Sequence, residues 1–271
     1  MNSKKWLSYP YILWMAAFII IPLLMIIYYG FTAQDGSFTI SNLTLISDPI
    51  NRKALWLSLK LSIISTLLCL VLAYPVALIL HNMKLKSNSF IVMIFILPMW
   101  MNFLLRTLAW QNILEKTGVI NTFLNLLHLP NVNIINTPAA IIFGMVYNFL
   151  PFMILPLFTT LTKMDESLLE AAYDLGAGRA TAFAKVILPL SAPGIVSGVT
   201  MVFLPAMTNY VILDMLYNST YIMGSLIGSY FSAYDWNSGS MISIILLLII
   251  FLLTWATNGF REDDNRRGAL L

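Results

Sequence analysis

The chain has 271 residues, of which 59% are hydrophobic and only 10% charged, and its formal net charge is +3. Soluble domains carry roughly 25% charged residues, so a chain this apolar cannot clothe a globule in polar surface and its solvent must be lipid. The single cysteine, Cys69, lies inside an apolar run, which excludes a disulfide framework and a thiolate metal site and leaves a small buried hydrophobe.

A bilayer core roughly 30 Å thick needs about 20 apolar residues per helix. After a short N-terminus, 1–10, six segments meet that demand: 11–31, 54–80, 90–110, 139–160, 195–216 and 241–257. The first follows Lys4 and Lys5, but its apolar stretch is too long for a cleavable signal, and it is expected to be a retained helix. An all-α integral membrane protein with six spans follows.

Loops on the cytoplasmic side are enriched in Lys and Arg. With the N-terminus inside, ten cations fall there: Lys4, Lys5, Lys84, Lys86, Lys163, Arg179, Lys185, Arg261, Arg266 and Arg267. Three, Arg52, Lys53 and Lys116, fall outside, and Lys60 and Arg106 lie within spans. Both termini are therefore expected in the cytoplasm. The spans carry Pro22, Pro75, Pro98, Pro151, Pro156 and Pro205, each a kink that shapes a pathway or one that neighbouring helices tolerate. The external stretch 111–138 contains NTFLNLLHL, the pattern of a short amphipathic helix lying on the surface. With only His81 and His128 in the chain, a histidine metal site is not expected. The tail 261–271 mixes charge signs without an apolar period and is expected to fray.

The stretch 163–190 is long for a loop joining two spans. Asp165 is placed to cap a helix whose first turn holds Glu166. Leu168, Leu169, Ala172 and Leu175 give that helix one apolar face, while Glu170 and Asp174 repel mildly at i, i+4. Gly176 and Gly178 turn the chain, Ala180 to Ile187 resumes as a second short helix, and Pro189 stops it running straight into the fifth span. The outcome is a helix–turn–helix across the cytoplasmic face. Two acids on one side make sense if a partner supplies basic groups; a solvated hairpin with no partner is the plainer alternative.

Glu170-Ala171-Ala172, Gly176 and the closing Ile187-Leu188-Pro189 resemble the EAA motif of ABC-importer permeases, although Leu here follows Ile directly where the usual form has one residue between. The stretches 97–110, 136–157 and 189–207 extend the likeness over nearly the whole chain, toward the first of the two permease subunits of polyamine (spermidine/putrescine) importers. The resemblance implies a type I importer (MetI-like) permease fold in the cell membrane of a prokaryote. It also implies a related second permease, two copies of a cytoplasmic ATPase and an extracytoplasmic polyamine-binding protein, with no nucleic-acid partner. Carried over, Glu170, Ala171, Ala172 and Asp174 form a helix docked on the ATPase, Gly176 its turn and Pro189 its end.

The chain is not expected to be an enzyme. Neither Lys86-Ser87 nor Lys116-Thr117 is preceded by the glycines of a phosphate-binding loop, so ATP and Mg belong to the partner and no cofactor is expected on this chain. A polycation's pathway needs carboxylates and aromatic faces, the latter worth roughly 0.5–2 kcal/mol each. Asp214, with Tyr210 one turn before it, is the leading candidate. It is equally readable as a headgroup-level carboxylate or a partner for Arg106. Trp110, Glu115, Tyr230, Tyr234, Asp235 and Trp236 complete an external acid-and-aromatic set, each aromatic also readable as an interfacial anchor. Lys60 and Arg106 would repel a polycation, and are expected to pair or snorkel; they would attract the cargo of a permease for an anion or metal chelate. A stand-alone secondary transporter would call for inverted repeats or paired broken helices, and no such repeats are visible.

Overall fold

A computed structural model describes residues 9–83, 97–217 and 220–268, with side chains over 10–83, 97–217 and 220–255. The expectations resting on 1–8, on 84–96 (the start of the third span, with Lys84 and Lys86) and on the tail's side chains lie outside them.

All regular structure among the described residues is helical, apart from an isolated bridge between Thr32 and Phe38. Helix α1 runs through Tyr9–Met15, a wide π turn Ala16–Ile20 and Ile21–Gly30. Helix α2, Pro49–Asn82, is opened by the Asp48 carboxylate accepting from the Ile50 amide at 2.8 Å, and Pro75 lies inside it. Helix α3, Phe103–Leu114, starts where the Asn102 side chain accepts from the Leu104 amide, and the short α4, Val119–Leu126, follows it. Helix α5, Pro138–Thr162, precedes the hairpin: α6, Glu166–Asp174, and an arm α7 made of Arg179–Ala182, a π turn Phe183–Ile187 and Leu188–Leu190. Then come α8, Ala192–Thr208, α9, Val211–Leu216, α10, Met223–Ser232, and α11, Trp236–Gly268.

Four of these helices are long and apolar enough to cross a membrane, over Pro10–Gly30, Pro49–Asn82, Pro138–Thr162 and Trp236–Trp255. A fifth crossing arises if α7 and α8, bent by 62° at Ser191, count as one span. Of the expected third span, 97–110 is described: a helical turn at 97–100 ends at Met101, and α3, 12 residues or about 18 Å at 1.5 Å per residue, starts after that break and is too short alone.

The fifth segment and the C-terminal end also depart from expectation. The fifth apolar segment, expected to be continuous over 195–216, is broken: α8 stops at Thr208, Asn209 is extended with φ −75° and ψ 101°, and its side chain accepts from the Ile212 amide at 3.2 Å to start α9. One asparagine thus divides an apolar run that hydropathy averages into a single span. At the C-terminal end α11 continues to Gly268 instead of fraying near 261.

The main core joins α2, α5 and α8. Leu61, Cys69, Ala73 and Ala77 pack with Ile141, Met145, Met153 and Leu157, and with Val202 and Ala206, while Ile212, Leu213 and Leu216 of α9 close one end. A second cluster, Ala54, Met207, Met223, Leu226, Ile242 and Leu246, fixes α10 and α11 to the same end of α2. Helix α1 lies against α11, where a Cβ on Gly30 would meet Ile244 at 2.6 Å, and the Asn237 side chain donates to the Tyr29 and Thr32 carbonyls. The hairpin α6–α7 stands at the opposite end of the bundle from α9 and α10.

Candidate functional site

The hairpin is assembled from local signals. The Asp165 carboxylate accepts from the Ser167 amide at 3.0 Å and starts α6; that bond holds the carboxyl below its ordinary value of 3.8. At the other end Gly176 adopts φ +81°, and the last turn closes twice: the Gly176 amide donates to the Tyr173 carbonyl at 2.9 Å and the Ala177 amide to the Ala172 carbonyl at 3.0 Å. This is the left-handed glycine cap that satisfies the terminal carbonyls of a helix. Gly178 does something else. It sits at φ −73° and ψ 164°, backbone that any residue adopts, and accepts the Ala182 amide at 2.9 Å to start α7. Only one of the two expected turn glycines is therefore needed for its conformation.

No residue of α6 is buried. Glu170, Ala171 and Asp174 are exposed, Ala172 is half-buried, and Leu168, Tyr173 and Leu175 present apolar surface, Leu175 being 89% exposed. A helix that folds back on its own protein would hide that face. This one presents an acidic edge beside an apolar patch, with small alanines that let another surface come close. Pro189 lies in the last turn of α7, two residues before the bend at Ser191.

The external candidates fall into separate groups. Trp110 is half-buried and stacks edge-on against Phe143 (centroids 4.6 Å apart) and Tyr147 (5.2 Å), which makes it a packing residue between α3 and α5. Glu115 is exposed at the end of α3, and its backbone carbonyl accepts from the buried Asn121 side chain at 3.1 Å. Asn121 also exchanges two hydrogen bonds with the Val132 backbone, clamping the 111–138 segment around α4. Tyr230 donates to the Asn51 side chain at 3.2 Å. Asp235 caps α11 by accepting from the Ser238 amide at 3.1 Å. Trp236 clusters with Tyr29, Phe231 and the 80%-exposed Tyr234. The rings around Trp110 and those around Trp236 share no member.

Asp214 is exposed on the one-turn-plus α9, its amide bonded to the Tyr210 carbonyl at 2.9 Å and Tyr210 itself exposed. Arg106 is only 6% exposed, and its Nε and Nη1 have no hydrogen-bond partner among the described residues, so neither reaches Asp214. Lys60 lies on the outward face of α2 beside the exposed Trp56 and Ile63, away from the core. Among the described residues no three His, Cys, Asp or Glu side chains converge to hold a metal ion.

The sequence left three residues unnoticed. Tyr74 of α2 reaches the bend, its hydroxyl 2.7 Å from Ser191 Oγ and its ring edge-on to Phe183 at 5.6 Å. The only prior signal was a serine enclosed by Pro189 and Pro193.

Several apolar spans with an exposed, capped hairpin ahead of a bent helix define a multi-pass membrane protein. The chain belongs to the family of binding-protein-dependent transport system inner membrane components, whose sequence model matches residues 1–262. It is 38% identical over 265 residues to the spermidine/putrescine transport system permease protein PotB of Haemophilus influenzae, covering 94% of this chain and 92% of that one. It is 36% identical over 250 residues to the protein of the same name from Escherichia coli K12, covering 89% and 91%. Its fold matches a chain of a bacterial alginate ABC transporter solved with a periplasmic protein, at a TM-score of 0.78 over 94% of both chains and 17% identity. The protein is thus an ABC-importer permease subunit of the type I fold.

Proposed function

We propose that this permease carries polyamines, spermidine and putrescine being the class, and forms half of the pathway beside a homologous second permease. Two copies of a cytoplasmic ATPase drive it and an extracytoplasmic binding protein delivers the cargo. The observation that carries the cargo assignment is the near full-length likeness, at 38% and 36% identity, to two proteins named for spermidine and putrescine transport. The distribution of Lys and Arg supports an orientation with both termini and the hairpin in the cytoplasm.

Force enters through α6. Its acidic edge, Glu170 and Asp174, suits a partner surface that supplies basic groups, and the exposed Leu168 and Leu175 supply apolar area that docking would bury. The Gly176 cap and Asp165 hold that helix preformed, so little ordering entropy opposes docking. At the other end, Asp214 is offered to the cargo: it is exposed next to Tyr210, and two features keep cations from competing there. Arg106 is withdrawn into the protein, and Lys60 faces outward from the bundle. ATP and Mg act in the partner, not here.

Uptake of labelled spermidine, putrescine and an anionic control by the complete complex in proteoliposomes tests the cargo class. Saturable uptake of the two cations and none of the anion is expected; preference for the anion would assign the complex to another solute.

A further inference from the structure

The bend between α7 and α8 is not a free hinge. Pro189 and Pro193 lack amide hydrogens, so backbone bonding is thinned on both sides of Ser191. Ser191 keeps its own backbone bonds, its amide to the Ile187 carbonyl at 2.9 Å and its carbonyl from the Ile195 amide at 3.0 Å, and a chain of side-chain hydrogen bonds is added to them. Ser191 Oγ lies 2.9 Å from the Leu188 carbonyl, which can only accept, so the serine's one proton is committed there. The Tyr74 hydroxyl, 2.7 Å from the same oxygen, must then be the donor. The chain therefore runs in one direction, from the α2 hydroxyl through the serine to a carbonyl of the arm, and each bond polarises the next.

Both members are buried, Tyr74 at 9% and Ser191 at 1% exposure, so neither is kept bonded by water when the other leaves. The Tyr74 ring packs edge-on to Phe183 at 84°, and Phe183 opens the π turn of α7; Ala182 beside it is also buried. Wide turns of this kind mark places where a helix is adjusted for a particular contact. Tyr74 thus grips the arm at two points, one on each side of Pro189, and sits directly before Pro75, where α2 itself can bend.

We propose that Tyr74 is a positioning residue that locks the 62° elbow to α2, so that movement of the hairpin shifts α2 together with α8. The proposal rests on the reading that α6 docks on an ATPase. Without the lock, the arm would pivot about Ser191 and hydrolysis would proceed without moving the core helices. Tyr74 contacts neither cargo nor nucleotide in this account; it acts through Ser191.

The test uses the complete complex in proteoliposomes and reads ATP hydrolysed per labelled spermidine imported. Tyr74→Phe keeps the ring against Phe183 and removes only the hydroxyl; Ser191→Ala removes the other end of the bond. Each is expected to retain hydrolysis while uptake drops, raising the ratio roughly fivefold, the scale of one hydrogen bond. The double variant should be no worse than either single one, because both cut the same link. A ratio unchanged in both single variants, or hydrolysis and uptake falling in proportion, overturns the proposal, and Ser191→Ala decides it if Tyr74→Phe does not assemble. Glu170→Lys separates the two ideas: if it leaves the ATPase bound and driving uptake, it is the docking reading that fails.

Discussion

The Ala177 amide donates to the carbonyl of Ala172, five residues back, at 3.0 Å, and this bond ends the exposed helix α6. It exists because Gly176 between them takes φ +81°, a conformation that strains any residue with a Cβ by roughly 1–2 kcal/mol. Nothing lies within 4 Å of a Cβ built on Gly176 or on Gly178, so any penalty at either position comes from backbone angle and not from space.

Gly176→Ala is accordingly expected to weaken association with the ATPase by about 1 kcal/mol, a several-fold loss, while Gly178→Ala leaves it unchanged. Titration of detergent-solubilised permease pair with the ATPase measures both. Equal effects of the two substitutions would show that the left-handed cap is not what shapes α6.

The cap at the other end of α6 gives a pH dependence with a definite sign. The Ser167 amide lowers the folded pKa of Asp165 below 3.8, so its stabilising contribution is present above that ordinary value and is lost as pH falls through the folded one. From pH 5 to 8 the cap should not titrate. Asp165→Asn, which keeps an acceptor oxygen, should preserve docking across that range, and Asp165→Ala should weaken it at every pH. Measured binding of the ATPase to each variant at pH 5 and 8 checks this.

Close backbone approach fixes α10 against the end of α8. A Cβ at Gly224 would collide with the Thr208 carbonyl and come within 3.3 Å of Tyr210 Cβ. Gly224→Ala is expected to destabilise the subunit by about 1–3 kcal/mol, an overpacking penalty that backbone must absorb. A lowered melting temperature of the purified complex is the readout.

Trp110 and Asp214 should separate into packing and pathway roles. Trp110→Ala removes a half-buried ring that packs edge-on against Phe143 and Tyr147, with an expected loss of about 1–3 kcal/mol in stability. Asp214→Asn touches no packing and should raise the half-saturating polyamine concentration about threefold, with the melting temperature unchanged. An unchanged concentration dependence would return Asp214 to the role of a headgroup-level carboxylate.

The readable parts of this protein were those governed by short-range chemistry. Asp165 as cap and Gly176 as turn follow from backbone hydrogen bonding within a few residues, and four spans follow from hydropathy sustained over their length. Gly178 takes ordinary extended backbone, and a glycine after a turn signal carries no mark of its own backbone angle. The break at Asn209 was averaged away by its apolar neighbours. Aromatics near span ends look alike along the chain, whereas Trp110 and Trp236 belong to different packing clusters, a tertiary fact that no local pattern encodes. Tyr74 was invisible for the same reason: its partners Phe183 and Ser191 lie more than a hundred residues away in sequence.

The claim on which the account turns is that α6 is the surface through which a separate ATPase drives this permease. Co-purification of the Glu170→Lys variant with its ATPase, read together with spermidine uptake, tests it most directly. Charge reversal at that exposed position is expected to abolish co-purification and uptake while the permease pair still assembles and keeps its melting temperature. An ATPase that stays bound to the variant and still drives uptake would contradict the account.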